Sequence, residues 1–160
     1  GPDPSSWGSG DEDALYETRL AEWMEQVGLP AGTSFKDRLA EGLAVGYAYA
    51  TGQFEDGTDR VIRRERASVE EGQTFVYEFI RYPTRTDVAH LVEAGSSLGE
   101  LEAIATAAPG ALTMTNLKPA EYEIVEFYSD EHPDGVITTV RKRIEGSGRS
   151  FFRLVLVEQP

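Results

Sequence analysis

The sequence predicts an α+β fold in which helices pack on a curved antiparallel β-sheet. Three observations lead there. Apolar residues recur at helical spacing in the N-terminal third, β-rich runs fill the C-terminal third, and an alternating hairpin pattern lies between them. A chain of 160 residues that is 40% hydrophobic, 27% charged and 10% aromatic is too apolar to be intrinsically disordered. It has the length of one domain.

The elements follow in order. Over residues 11–27 the positions Tyr16, Leu20, Trp23 and Val27 mark one helical face, with Asp11, Glu12 and Asp13 at the end that the helix dipole favours. Gly28 and Pro30 stop that helix. Ser34 with Asp37 resembles a capping pair, after which Phe35, Leu39, Leu43 and Tyr47 predict a second helix ending near Thr51 and Gly52. Its small residues Gly42, Ala44, Gly46 and Ala48 predict close approach of a neighbouring element. Residues 60–69 and 73–82 read as a hairpin, with Phe75, Tyr77 and Phe79 on one face and Val76 and Ile80 on the other. Residues 86–108 read as helix, broken at Gly95 and restarted by Ser97 with Glu100 three positions on. Four β-rich runs follow at 112–117, 122–128, 136–144 and 151–157, expected to form an antiparallel meander with the glycine turn 145–148 joining the last two. The last run is apolar on both faces, which predicts a central or helix-covered strand.

This order of elements over residues 11–158 resembles the cone-shaped fold of the nuclear-transport-factor-2-like superfamily. That resemblance implies helices seated in the hollow of a curved sheet. A cystatin-like arrangement of helix on sheet is the alternative.

The 28 acidic residues outnumber the 15 basic ones, for a formal net charge of -13, so a polyanion would be repelled and no nucleic-acid partner is expected. The basic residues that do gather, Arg60, Arg63, Arg64 and Arg66, then Arg141, Lys142 and Arg143, lie on predicted strands. Without cysteine there is no disulfide, thiolate chemistry or cysteine-ligated metal. No apolar run approaches the roughly 20 residues that span a bilayer, so no membrane insertion is expected within this chain. Gly1-Pro2 looks like the scar of a cleaved tag, and residues 1–10 read as a flexible linker ahead of a single domain at 11–160. An anchor or signal upstream of that linker would place the domain outside the cytoplasm or in the cell envelope, although a cytoplasmic setting is also compatible with it.

No nucleophile elbow, phosphate-binding loop, dinucleotide fingerprint or zinc helix is present. His90 is expected as a helix-surface or core residue rather than a base. His132, among Asp130, Glu131 and Asp134, is expected in an ordinary turn rather than a cation site, and the acidic stretch 55–59 in a solvated loop. In a cone fold an enzyme would need an acid beside a histidine or tyrosine, and Asp37 or Asp87 with His90 are the residues available. Trp23, Tyr47, Tyr49, Phe75, Tyr77, Phe79, Tyr122 and Phe127 would line or fill the hollow.

These readings select no catalytic, ligand-binding or metal residue and call for no cofactor. The expectation is a non-catalytic binding or protein-interaction domain of a larger exported or membrane-anchored bacterial protein, with a protein partner or small apolar ligand. The alternatives are a small-molecule-binding or lyase/isomerase-type domain using the aromatic hollow, and an assembly subunit whose apolar last strand pairs with another chain.

Overall fold

The computed structural model describes residues 18–39, 42–54, 63–145 and 148–159. The linker, the first part of the N-terminal helix, the acidic stretch 55–59 and the Gly146-Ser147 turn lie outside the described residues. Within them the fold is dominated by antiparallel sheet. Helices α1 (Leu20–Gln26) and α2 (Val45–Ala50) precede strands β1 (Glu65–Glu70), β2 (Thr74–Arg81), β3 (Val88–Gly95), β4 (Glu102–Ala107), β5 (Thr115–Asn116), β6 (Glu123–Tyr128), β7 (Val136–Arg143) and β8 (Phe151–Glu158). They pair into two four-stranded sheets, β1-β2-β7-β6 and β5-β4-β3-β8. An α+β class is thus seen, whereas neither the single curved sheet of a cone fold nor a cystatin-like arrangement is shown.

The hairpin of β1 and β2 forms as expected, pairing Glu65 with Phe79 through Glu70 with Thr74. Glu71 and Gly72 in its turn both take positive φ, 54° and 68°. That left-handed pair matches the twist of the flanking strands. Tyr77 and Phe79 point inward and meet Val92, Ala94, Ile104, Ala105 and Ala107 of the second sheet, so the two sheets pack face to face around one core. The Tyr77 and Phe152 rings stack across it, 5.1 Å between centroids and 3° from parallel.

Four expectations need correction. Residues 86–108 are not helical: β3 alternates buried and half-buried along its whole length, a period of two that Ala89, Glu93 and Ala94 disguise. The Ser97–Glu100 pair does form, Oγ to Oε1 3.0 Å, but it closes only a single 3-10 turn at Leu98–Glu100. The second helix is shorter than predicted, because Gly42 at φ 82° and the bond from Leu39 N–H to the Leu43 carbonyl build a turn where helix was expected. The Ser34–Asp37 pair forms too, as a side-chain turn with no helix after it. The run at 112–117 contributes only the two residues of β5.

The fourth correction concerns the meander. β6 and β7 pair as a hairpin, but β7 lies between β2 and β6, and β8 leaves for the second sheet to pair with β3 from Val88↔Glu158 to Gly95↔Phe151. β8 is therefore an edge strand rather than a central one. Helical cover reaches it in part: Leu156 packs on the second core cluster, built from Leu20, Trp23, Phe35, Val45 and Tyr49 around the helices. The prediction of close packing by small residues holds at Gly46, where the Phe35 ring lies 2.4–2.6 Å from the position a Cβ would take.

Candidate functional site

The buried ionisable groups come first, because a catalytic site would have to be built from them. Arg81 of β2 is 2% exposed and meets Glu126 of β6 through two bonds, Nε to Oε2 at 2.7 Å and Nη2 to Oε1 at 3.2 Å. Its remaining donors reach the carbonyls of Ala111 and Leu112 at 2.7 and 2.9 Å. Glu126 also accepts from Thr138 Oγ1 at 2.6 Å and Met114 N–H at 2.8 Å. Burial alone would raise the Glu126 pKa, but these donors outweigh it and hold the carboxyl below its usual range. Residues 111–114 belong to the connection from β4 to β5, so this network ties the β6 side of one sheet to the β5 side of the other.

A second network anchors the helices. Asp87 accepts from Leu20 N–H at 2.8 Å and from the Tyr49 hydroxyl at 2.5 Å, and that hydroxyl also lies 2.7 Å from the Thr18 carbonyl. Burial and then the Asp87 carboxylate push the Tyr49 pKa well up. Asp87 is thus committed to a backbone amide and a tyrosine, and Asp37 sits in an exposed turn accepting from Ser34 N–H. Neither is shown paired with His90.

His90 lies on β3 rather than on a helix, 4% exposed, with no hydrogen-bond partner for Nε2. Burial first, and then the Arg81 charge, lower its pKa to about 3. It is a neutral core residue near neutral pH. His132 belongs to the β6–β7 connection, where its N–H donates to Ser129 Oγ at 3.1 Å and its carbonyl accepts from Gly135 N–H at 2.9 Å. Among the described residues no group of three histidines or carboxylates could hold a metal ion.

The aromatic residues fill the interior more than they line a hollow. Trp23 and Tyr49 are fully buried under the helices, and Tyr77, Phe79 and Tyr122 between the sheets. Phe75 is half-buried, and Phe127 stands 55% exposed on the outer face of its sheet. The basic residues of the strands are largely matched by acids, Arg66 with Glu78, Arg141 with Glu70 and Lys142 with Glu121.

One groove among the described residues, of about 680 Å³, lies between β8 and the segment 35–47, with Glu65 of β1 at its margin. Phe152, Leu154 and Leu156, alternate residues of β8, form one bank; Phe35, Leu43 and Tyr47 form the other. Arg38, Arg63, Arg153 and Glu65 supply its charges. The Arg63 guanidinium lies 5.9 Å from the Tyr47 ring centroid and 3.7 Å from Glu65. Tyr47 accepts from Arg64 N–H at 2.8 Å, and burial pushes its hydroxyl pKa up to about 12. This volume falls within the usual range of ligand pockets.

Of the aromatic residues singled out from the sequence, Tyr47 alone lines the groove. Phe152, Leu154 and Leu156 were visible only as a run apolar on both faces, and Phe35 and Leu43 as positions on a helix that does not form. Among the described residues no helix is long and apolar enough to cross a membrane. No family model, curated protein or solved structure matches the chain.

Proposed function

We propose that this is a non-catalytic binding domain that takes an apolar partner surface in the groove between β8 and the segment 35–47. One observation carries the reading: the apolar bank of Phe152, Leu154 and Leu156 is only half-buried by the protein's own residues. Among the described residues the acids that lie beside tyrosines, Asp87 with Tyr49 and Glu65 with Tyr77, are bonded internally, and most of the aromatic residues fill the core. Burying three such side chains against a partner contributes roughly 25 cal/mol for each Å² removed from water.

The test is a titration of methyl-labelled protein with 1-hexanol, followed by nuclear magnetic resonance. Shifts concentrated on Leu43, Leu154 and Leu156 are expected. Shifts concentrated on the exposed Val125, on the outer face of the other sheet, would overturn the groove as the site, and so would the absence of any saturable shift.

A further inference from the structure

Resting on that groove reading, we propose that the apolar surface it takes is the alkyl chain of a carboxylic acid, with the chain against Phe152, Leu154 and Leu156 and the carboxylate at Arg38. The size of the groove favours a small molecule. Its volume of about 680 Å³ lies inside the range of small-molecule sites, and thirteen of the described residues line it, whereas a standard protein interface takes about 20–30 residues from each side. Its lining suits an extended chain. Phe152, Leu154 and Leu156 follow one another at alternate positions of β8 and so form a row along one face. Phe35 and Leu43 stand beside Leu156 at one end of that row, and Leu98 and Leu101 extend the apolar lining.

The charges on the lining then select the head. Arg153 is matched by Glu93, and Arg63 stands 3.7 Å from Glu65. Arg38 is left over. It donates to the Gly42 carbonyl of its own turn at 2.9 Å, and among the described residues no carboxylate pairs with it. Arg38 forms an isolated bridge with Ala44, and both line the groove beside Leu43, so the unmatched charge lies on the bank that faces the β8 row. Head and tail of one molecule therefore reach both. The net charge of -13 on the whole chain would by itself draw a cation. Distant acids are screened beyond about 8 Å at physiological salt, whereas Arg38 acts at contact. A preference for an anionic head is thus the signature of Arg38 and runs against the bulk charge.

The test adds to the whole chain three probes with the same six-carbon skeleton and different heads: hexanoate, 1-hexanol and hexylammonium. Affinity is read from the methyl shifts of Leu43, Leu154 and Leu156. Hexanoate is expected to bind about 2- to 5-fold tighter than hexylammonium, the scale of one exposed charge pair. Arg38→Gln should erase that preference while 1-hexanol binds as before. Arg38→Lys should keep it, which separates loss of charge from loss of packing. Equal affinity of the two charged probes, or a preference for the cation, would overturn the carboxylate assignment and, with 1-hexanol still bound, leave the groove reading standing. A preference that survives Arg38→Gln would overturn Arg38 as the anchor. A trileucine peptide that binds through its free C-terminus where hexanoate does not would assign the site to the end of a protein chain and overturn the proposal. Failure of all three six-carbon probes would remove the groove reading as well.

Discussion

The two long sides of this two-sheet fold are built on opposite principles. On the β6 side, Arg81 and Glu126 tie the sheets together, the guanidinium donating four hydrogen bonds and the carboxylate accepting from Thr138 and Met114 as well. On the β8 side, half-buried leucines and a phenylalanine face a groove edged by exposed arginines. One side exchanges hydration for internal bonds that cannot be surrendered one at a time. The other leaves apolar surface half-buried among the described residues. On the function proposed above, stability and recognition fall on different edges of the fold.

β8 is where that separation is weakest, because its inner face serves both the core and the groove. Deleting residues 150–160 should abolish cooperative unfolding, read by circular dichroism during thermal melts. The loss takes the Tyr77–Phe152 stack and leaves β3 without its outer partner. Its half-buried apolar side chains each contribute a part of the roughly 1.5–3 kcal/mol of full burial, and together with the lost β3 pairing they take a large share of the roughly 5–15 kcal/mol a domain holds in reserve. A sharp transition surviving that deletion would show that β8 belongs to the recognition side alone.

The pinned side should be nearly as sensitive. Arg81→Leu strands Glu126 without its guanidinium, and a broken buried pair costs about 3–5 kcal/mol by chemical denaturation. Arg81→Leu combined with Glu126→Leu should recover part of that loss. A smaller effect, about 1–3 kcal/mol, is expected for Gly46→Ala, whose added methyl meets the Phe35 ring at 2.4–2.6 Å, and the displaced ring should also change the bank of the groove.

The pH dependence separates the regions again. His90 is held neutral in the folded state down to about pH 3 but titrates near 6.5 when unfolded, so the unfolded chain binds the extra proton first. The stability His90 contributes is present above about pH 6.5 and is lost as pH falls, by about 1.4 kcal/mol for each unit well below it. Glu126, lowered from 4.5, acts with the same sign further down. His90→Gln should flatten the stability curve between about pH 6.5 and 4.5; an unchanged slope would mean that the imidazole reaches water in the native state. Arg63→Gln on the open side should change stability least, by under about 0.5 kcal/mol, because Arg63 is 64% exposed in its pair with Glu65.

Local chemistry settled a good part of this molecule before any long-range contact. The β1–β2 hairpin, the faces of Tyr77 and Phe79, the stop at Gly28 and the strand character of β6, β7 and β8 all follow from period-two patterning and turn residues within a few positions. The same local logic produced a helix over 86–108, because Ala, Glu and Leu favour one and the alternation of β3 carries its signal only through which face is buried. Tertiary structure decided that face, along with the departure of β8 for the second sheet. It also decided the meeting of Arg81 with Glu126, 45 residues apart. A charged pair so distant leaves no periodic trace in sequence, since its value appears only when both partners are removed from water together. The groove has the same origin: it is the space left between β8 and the segment 35–47, which no short-range rule brings side by side.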